Sequence, residues 1–95
     1  MAIGIRIKFT GLGQEDYDKV NDRVDPAGDP PQGLIFHASG PIDGGWGVID
    51  FWESREDFDS FFGTRVQEAV QASGVQLEAP PDIKEFPVHD MYGGS

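Results

Sequence analysis

Gly45–Phe58, GWGVIDFWESREDF, is the stretch on which the fold turns. Trp46 to Glu53 is rich in the aromatic and β-branched residues of a strand. Ser54 followed by Asp57 resembles a capping box with the shorter acid in place of glutamate, and Phe58, Phe61, Phe62, Val66, Ala69 and Val70 then fall on one helical stripe. A strand therefore runs straight into an amphipathic helix, expected from Ser54 to Ser73 and ended by Gly74. Inside the strand lies an anomaly. Asp50 sits between Ile49 and Phe51, and a carboxylate on a packed sheet face is costly unless something satisfies it.

Upstream, Ile3, Ile5, Ile7 and Phe9 alternate with Gly4, Arg6 and Lys8, the period of a strand with one apolar face. After a turn at TGLG, residues Gln14 to Val24 place Tyr17, Val20 and Val24 at helical spacing, with Asp16, Asp18, Lys19 and Asp22 on the outside. The loop DPAGDPPQG cannot continue that helix, because its prolines lack backbone donors and restrict their predecessors. GLIFHASG, Gly33 to Gly40, reads as a second strand, joined by PIDGG in a hairpin to the third. EAPPD breaks the chain again, and Ile83 to Met91 reads as the last strand. The order βαββαβ suits an α+β, ferredoxin-like fold: a four-stranded antiparallel sheet with both helices on one side.

The bulk properties narrow the function. Ninety-five residues allow one small domain, expected to span 1–95. Seventeen acidic against seven basic residues give a net charge of -10, which repels nucleic-acid backbones and anionic membranes. The absence of cysteine removes disulfides, thiolate metal sites and cysteine nucleophiles. No apolar run approaches membrane-spanning length, and MAIGIRIKF alternates instead of forming a signal-type core, so a cytoplasmic protein is expected. DGGWG matches neither GxGxxG nor a Walker motif, the two histidines lack a metal-ligand spacing, and Asp25 and Asp29 lack the ligand pattern of an EF-hand. No cofactor and no metal are expected.

One face of such a sheet lacks a cover, and the alternation of each strand assigns residues to it. With the isoleucines of the first strand toward the helices, Arg6 and Lys8 point to the open side. Ile49 and Phe51 are expected under the helices, with Trp46, Val48, Asp50 and Trp52 opposite. Leu34, Phe36 and Ala38 are likewise expected in the core, leaving Ile35, His37 and Ser39 outside. In the last strand Phe86 and Val88 are expected in the core, and Ile83, Glu85, Pro87 and His89 on the open side. That face is too apolar for water, so a homodimer is expected to cover it. Arg6 then becomes the expected partner of Asp50, since a guanidinium offers a carboxylate two parallel hydrogen bonds. Such a pair could equally be structural, locking the register of the dimer.

The element order, the segment GWGVIDFWESREDFDSFF and the terminal EFPVHD together resemble the dimeric α+β barrel superfamily, in particular small proteins like the antibiotic biosynthesis monooxygenases. The resemblance spans nearly the whole chain. It implies two ferredoxin-like subunits joined sheet to sheet, each with a small-molecule pocket between its sheet and helices or near the barrel interior. It also implies a range of activities: cofactor-free oxidation of aromatic polyketides, haem degradation, isomerisation and lactone chemistry. No catalytic motif is common to the family, so candidate residues come from this chain's own faces. His37, Asp50 and Arg6 are the candidates for proton transfer and charge stabilisation, with Trp46, Trp52, Glu85 and His89 as candidate substrate contacts. Ser54 is explained as a helix cap and not a nucleophile. The expected function is a small-molecule-binding barrel acting on an aromatic or polyketide-like metabolite as monooxygenase, isomerase or cyclase. A non-catalytic metabolite- or haem-binding module and a purely structural dimer are the alternatives.

Overall fold

A computed structural model describes residues 2–93. The elements are β1 (Ile3–Thr10), α1 (Gln14–Val24), β2 (Leu34–Ile42), β3 (Gly45–Trp52), α2 (Arg55–Phe61), a π-helical turn (Phe62–Val66), α3 (Gln67–Ser73) and β4 (Asp82–Pro87). The strands form one antiparallel sheet in the order β2-β3-β1-β4, the ferredoxin-like arrangement. As expected, β3 lies beside β1 and the proline-bearing β4 takes an edge, where a missing backbone donor does least harm. No helix among the described residues is long and apolar enough to cross a membrane.

Local chemistry explains the breaks. α1 stops at Asp25, which takes a left-handed conformation (φ 52°, ψ 56°) and accepts the Gly28 N–H on Oδ1 at 3.1 Å, while Pro26 bars a further turn. The β2–β3 hairpin turns at Asp43-Gly44, with Gly44 at φ 79°, a conformation that glycine adopts without steric cost. Ser54 caps α2 by accepting the Asp57 N–H at 3.1 Å, and Gly74 closes α3 at φ 76°. The helix expected as one piece is interrupted by the π-helical turn. β4 ends at Pro87 and not Met91, because β1, its ladder partner, runs out at Ile3; the last link is Val88 N–H to the Ala2 carbonyl at 3.0 Å.

The register corrects the assignment of faces. Residues directly opposite in antiparallel strands share a face, and Ile3, Ile5, Ile7 and Phe9 stand opposite Trp52, Asp50, Val48 and Trp46. The two tryptophans, Val48 and Asp50 are therefore buried under the helices, while Ile49 and Phe51 lie on the open face beside Arg6 and Gly4. In β2 an irregularity between Leu34 and Phe36 shifts the alternation. Leu34, His37 and Ser39 consequently pair with helix-side residues of β3, and Phe36 and Ala38 with open-side ones. In β4, Ile83, Glu85 and Pro87 oppose Ile7, Ile5 and Ile3, while Phe86 opposes Gly4 on the open face. Alternation alone could not decide these faces, because β3 is apolar on both sides and a one-residue slip inverts every assignment.

The core centres on Ile5, Trp52 and Phe58, each at most 1 % exposed, with Ile7, Leu12, Trp46 and Val48 around them. Trp52 meets Phe58 edge-on at 5.8 Å and Phe61 at 5.4 Å, so the expected phenylalanine stripe does seat the helix on the sheet. Each side chain of this kind contributes on the order of 2–3 kcal/mol by burial.

Candidate functional site

β3 carries Asp50 onto the helix-covered face at 5 % exposure, and β2, its hairpin partner, carries His37 directly opposite. The result is a short hydrogen bond between His37 Nδ1 and Asp50 Oδ1, 2.6 Å. Trp52, two residues along β3 on the same face, donates its indole N–H to Asp50 Oδ2 at 3.3 Å. The aspartate that interrupts an apolar strand is thus satisfied on both oxygens, which removes most of the cost of burying it. Across the sheet from above, Tyr17 on α1 brings its hydroxyl to 2.9 Å from His37 Nε2.

These contacts form a chain, Tyr17–His37–Asp50, whose polarity follows from donor chemistry. An ionised carboxylate only accepts, so Nδ1 carries the proton and Nε2 is left as the acceptor for the Tyr17 O–H. Burial pushes the Tyr17 phenol above its ordinary pKa, a shift that the hydrogen bond with Ser39 opposes and the charges of Asp50 and Asp18 reinforce. The phenol is accordingly held neutral. Trp46 stacks on the Tyr17 ring (5.1 Å between centroids, 26° between planes) and limits its movement.

The chain borders a cavity of about 90 Å³ between the sheet and the helices. One water requires roughly 10–15 Å³, so the space accommodates a molecule considerably larger than water. Its walls are mostly aliphatic and aromatic, with Trp52, Phe61, Phe62 and Leu77 among them, and Tyr17, Asn21, His37 and Asp50 supply polar groups. Two segments outside regular α and β structure complete it: Pro26 and Pro31 of the α1–β2 loop, and Phe62 and Val66 of the π-helical turn. Arg65 in that turn donates to the carbonyls of Val24 (2.7 Å) and Asp29 (2.9 Å), tying the loop to the helices. A third of the His37 side chain is exposed, which puts the dyad between the cavity and solvent.

Of the seven residues singled out from the sequence, His37, Asp50 and Trp52 come together at the cavity. Trp46 lies behind Tyr17. Arg6 does not reach Asp50; it projects from the opposite face of the sheet and lies 3.8 Å from Asp82. Glu85 pairs with Arg55, which also bonds Asp59, and takes no part in the cavity lining. His89 is exposed beyond the end of β4. Tyr17 was legible only as a core position of an amphipathic helix. The hint to its role was its hydroxyl, which on a buried stripe needs a partner.

No family model matches the chain, and no curated protein does. Solved structures do. An antibiotic biosynthesis monooxygenase-like protein of Chloroflexus aurantiacus superposes with a TM-score of 0.71 at 13 % identity, covering 100 % of both chains. SnoaB of Streptomyces nogalater, a cofactor-independent oxygenase, gives 0.62 at 11 % identity, covering 95 % of this chain and 94 % of its own. A dimeric ferredoxin-like protein of unknown function from Thermobifida fusca gives 0.64 at 14 % identity, covering 93 % and 92 %. At these identities the likeness is one of fold, and the chain shares the ferredoxin-like α+β fold of these three proteins.

Proposed function

We propose that the protein is a proton-transfer enzyme acting on a small, enolisable, aromatic or polyketide-like metabolite, with His37, Asp50 and Tyr17 as its catalytic machinery. The observation that carries this reading is the Tyr17–His37–Asp50 chain bordering an apolar cavity. A raised phenol pKa disfavours a standing phenolate. Tyr17 instead takes the substrate's α-proton on its oxygen while passing its own proton to His37 Nε2, and Asp50 stabilises the imidazolium that forms. The C–H electron pair becomes the C=C bond of an enolate, and the carbonyl π pair moves onto oxygen as its negative charge. Return of the proton to another carbon is isomerisation, and attack of the enolate on a second carbonyl is cyclisation. Reaction with dioxygen is the route by which SnoaB's description as a cofactor-independent oxygenase would extend to this chain.

A purely structural role for the polar residues predicts no enclosed pocket, and the cavity argues against it. An axial haem ligand is less favoured, because both ring nitrogens of His37 are already engaged. We also propose that the chain works as a homodimer joined through the open sheet face. That face presents Phe36, Ile42, Ile49 and Phe86 at 41–51 % exposure, and the T. fusca neighbour is dimeric.

Deuterium exchange at the α-carbon of 2-tetralone in D₂O, followed by NMR, tests the chemistry. Wild-type protein is expected to accelerate exchange, and His37→Gln to lower the rate by about 10²–10⁴-fold without changing the sedimentation coefficient. Equal rates in the two proteins would remove His37 from the mechanism.

A further inference from the structure

The cavity has a second polar feature, and the chain of catalytic groups leaves it unused. Tyr17, His37, Asp50 and Trp52 are bonded to one another, at 2.9, 2.6 and 3.3 Å. Asn21 also lines the cavity, and its side-chain amide bonds to no other described residue. Its backbone carbonyl accepts the Asp25 N–H at 2.8 Å, which holds the residue in the final turn of α1. Tyr17 and Asn21 are four residues apart on that helix, so their side chains stand on one stripe with Cβ atoms about 5–6 Å apart. Among the described residues no lysine or arginine lines the cavity, while the Asp50 carboxylate does.

From these placements we infer that Asn21 anchors the substrate: its amide N–H donates to the carbonyl oxygen of a small, neutral, cyclic or aromatic ketone while the neighbouring C–H faces Tyr17. This rests on the proton-transfer reading and specifies its substrate class. Separation along one stripe matches the task, since a carbonyl oxygen and the hydrogen on its α-carbon are held from two directions at once. As the α-proton leaves, charge accumulates on the oxygen, and the amide N–H stabilises it there. A carboxylate or phosphate substrate would find no cation in the walls and would be repelled by Asp50. Neutral ligands are therefore selected, and among them those with an acceptor oxygen. The enolate that forms keeps the same contact, because its oxygen still accepts from the amide.

The probes are 2-tetralone, its hydrocarbon counterpart tetralin and the anion 2-naphthoate, with binding read from quenching of tryptophan fluorescence, to which Trp52 in the cavity wall contributes. Wild-type protein is expected to bind 2-tetralone roughly five- to tenfold more tightly than tetralin, and 2-naphthoate more weakly than either. In Asn21→Leu the preference for the ketone should shrink to within about twofold, tetralin affinity should hold, and the KM for 2-tetralone exchange should rise. Should Asn21→Leu fail to fold, as judged by circular dichroism, the Asn21 side-chain amide resonance of the wild type supplies the same test. It should shift with 2-tetralone and stay put with tetralin. A ketone preference that survives in Asn21→Leu, an amide resonance indifferent to 2-tetralone, or tight binding of 2-naphthoate would overturn the inference while leaving the cavity as a binding site. Binding of none of the three to wild type would overturn it together with the proposed function.

Discussion

The two faces of this sheet use aromatic residues to opposite ends. On the covered face Trp46 and Trp52 each hold a polar neighbour in place: Trp46 stacks on Tyr17, and Trp52 donates to Asp50. On the open face Phe36, Phe51 and Phe86 form a run across β2, β3 and β4 with centroids 6.4 Å apart at each step. Phe86 lies over Gly4, where a Cβ would collide with its ring. Phe36 and Phe86, at the two ends of the run, keep substantial exposed area. A carboxylate survives deep under the helices because histidine and indole N–H groups meet it there, whereas the phenylalanine run on the open face, beside Arg6, gains from being covered.

The covered face is most sensitive at Trp52. Trp52→Ala removes a fully buried ring and one of the donors to Asp50, and denaturant unfolding should show a loss of about 3–5 kcal/mol. A change below about 1 kcal/mol would mean that the covered face tolerates an underbonded carboxylate. A smaller effect on stability, with a large one on assembly, is expected on the other side. Phe51→Glu places a charge in the middle of the phenylalanine run. With the proposed dimer as the wild-type state, sedimentation should change from dimer to monomer at micromolar concentration, with subunit stability altered by about 1 kcal/mol or less. A wild-type chain that sediments as a folded monomer would dissolve the account of the open face.

The smallest effect concerns Tyr17. Its folded pKa lies above the ordinary value of 10.0 because the ring is buried. Below pH 10 both folded and unfolded chains keep the proton, and the stabilisation is complete. As pH rises further the unfolded chain releases its proton first, the native state binds more protons, and stability falls until the folded pKa is passed. Tyr17→Phe should remove that part of the alkaline decline, together with the later step in the ultraviolet titration of the phenols. An unchanged titration would show that Tyr17 is not enclosed as described.

How much of this was readable beforehand differs between elements. The helix stripe from Phe58 to Val70, the cap at Ser54 and the turn at Asp43-Gly44 depend on short-range spacing and emerge where expected. His37 and Asp50 stood out because ionisable groups inside apolar strands need partners, and they proved to be each other's. Arg6 was the wrong partner for a parity reason. A polar residue in β3 suggested an open face, but the pairing of Asp50 with the buried Ile5 turns it inward, and the irregularity near Phe36 brings His37 to the same face. Tyr17 and Asn21 looked like any helix positions, since what distinguishes them is the sheet they face.

The order of elements, the number of strands, the amphipathic faces of the helices and the need for Asp50 to be satisfied are all legible in the sequence, because each follows from interactions within a few residues. Which side of the sheet holds the charge, which histidine nitrogen meets the aspartate and which tyrosine meets the histidine are set by the packed fold. Those depend on register between strands distant in the chain, where a shift of one residue exchanges inside for outside.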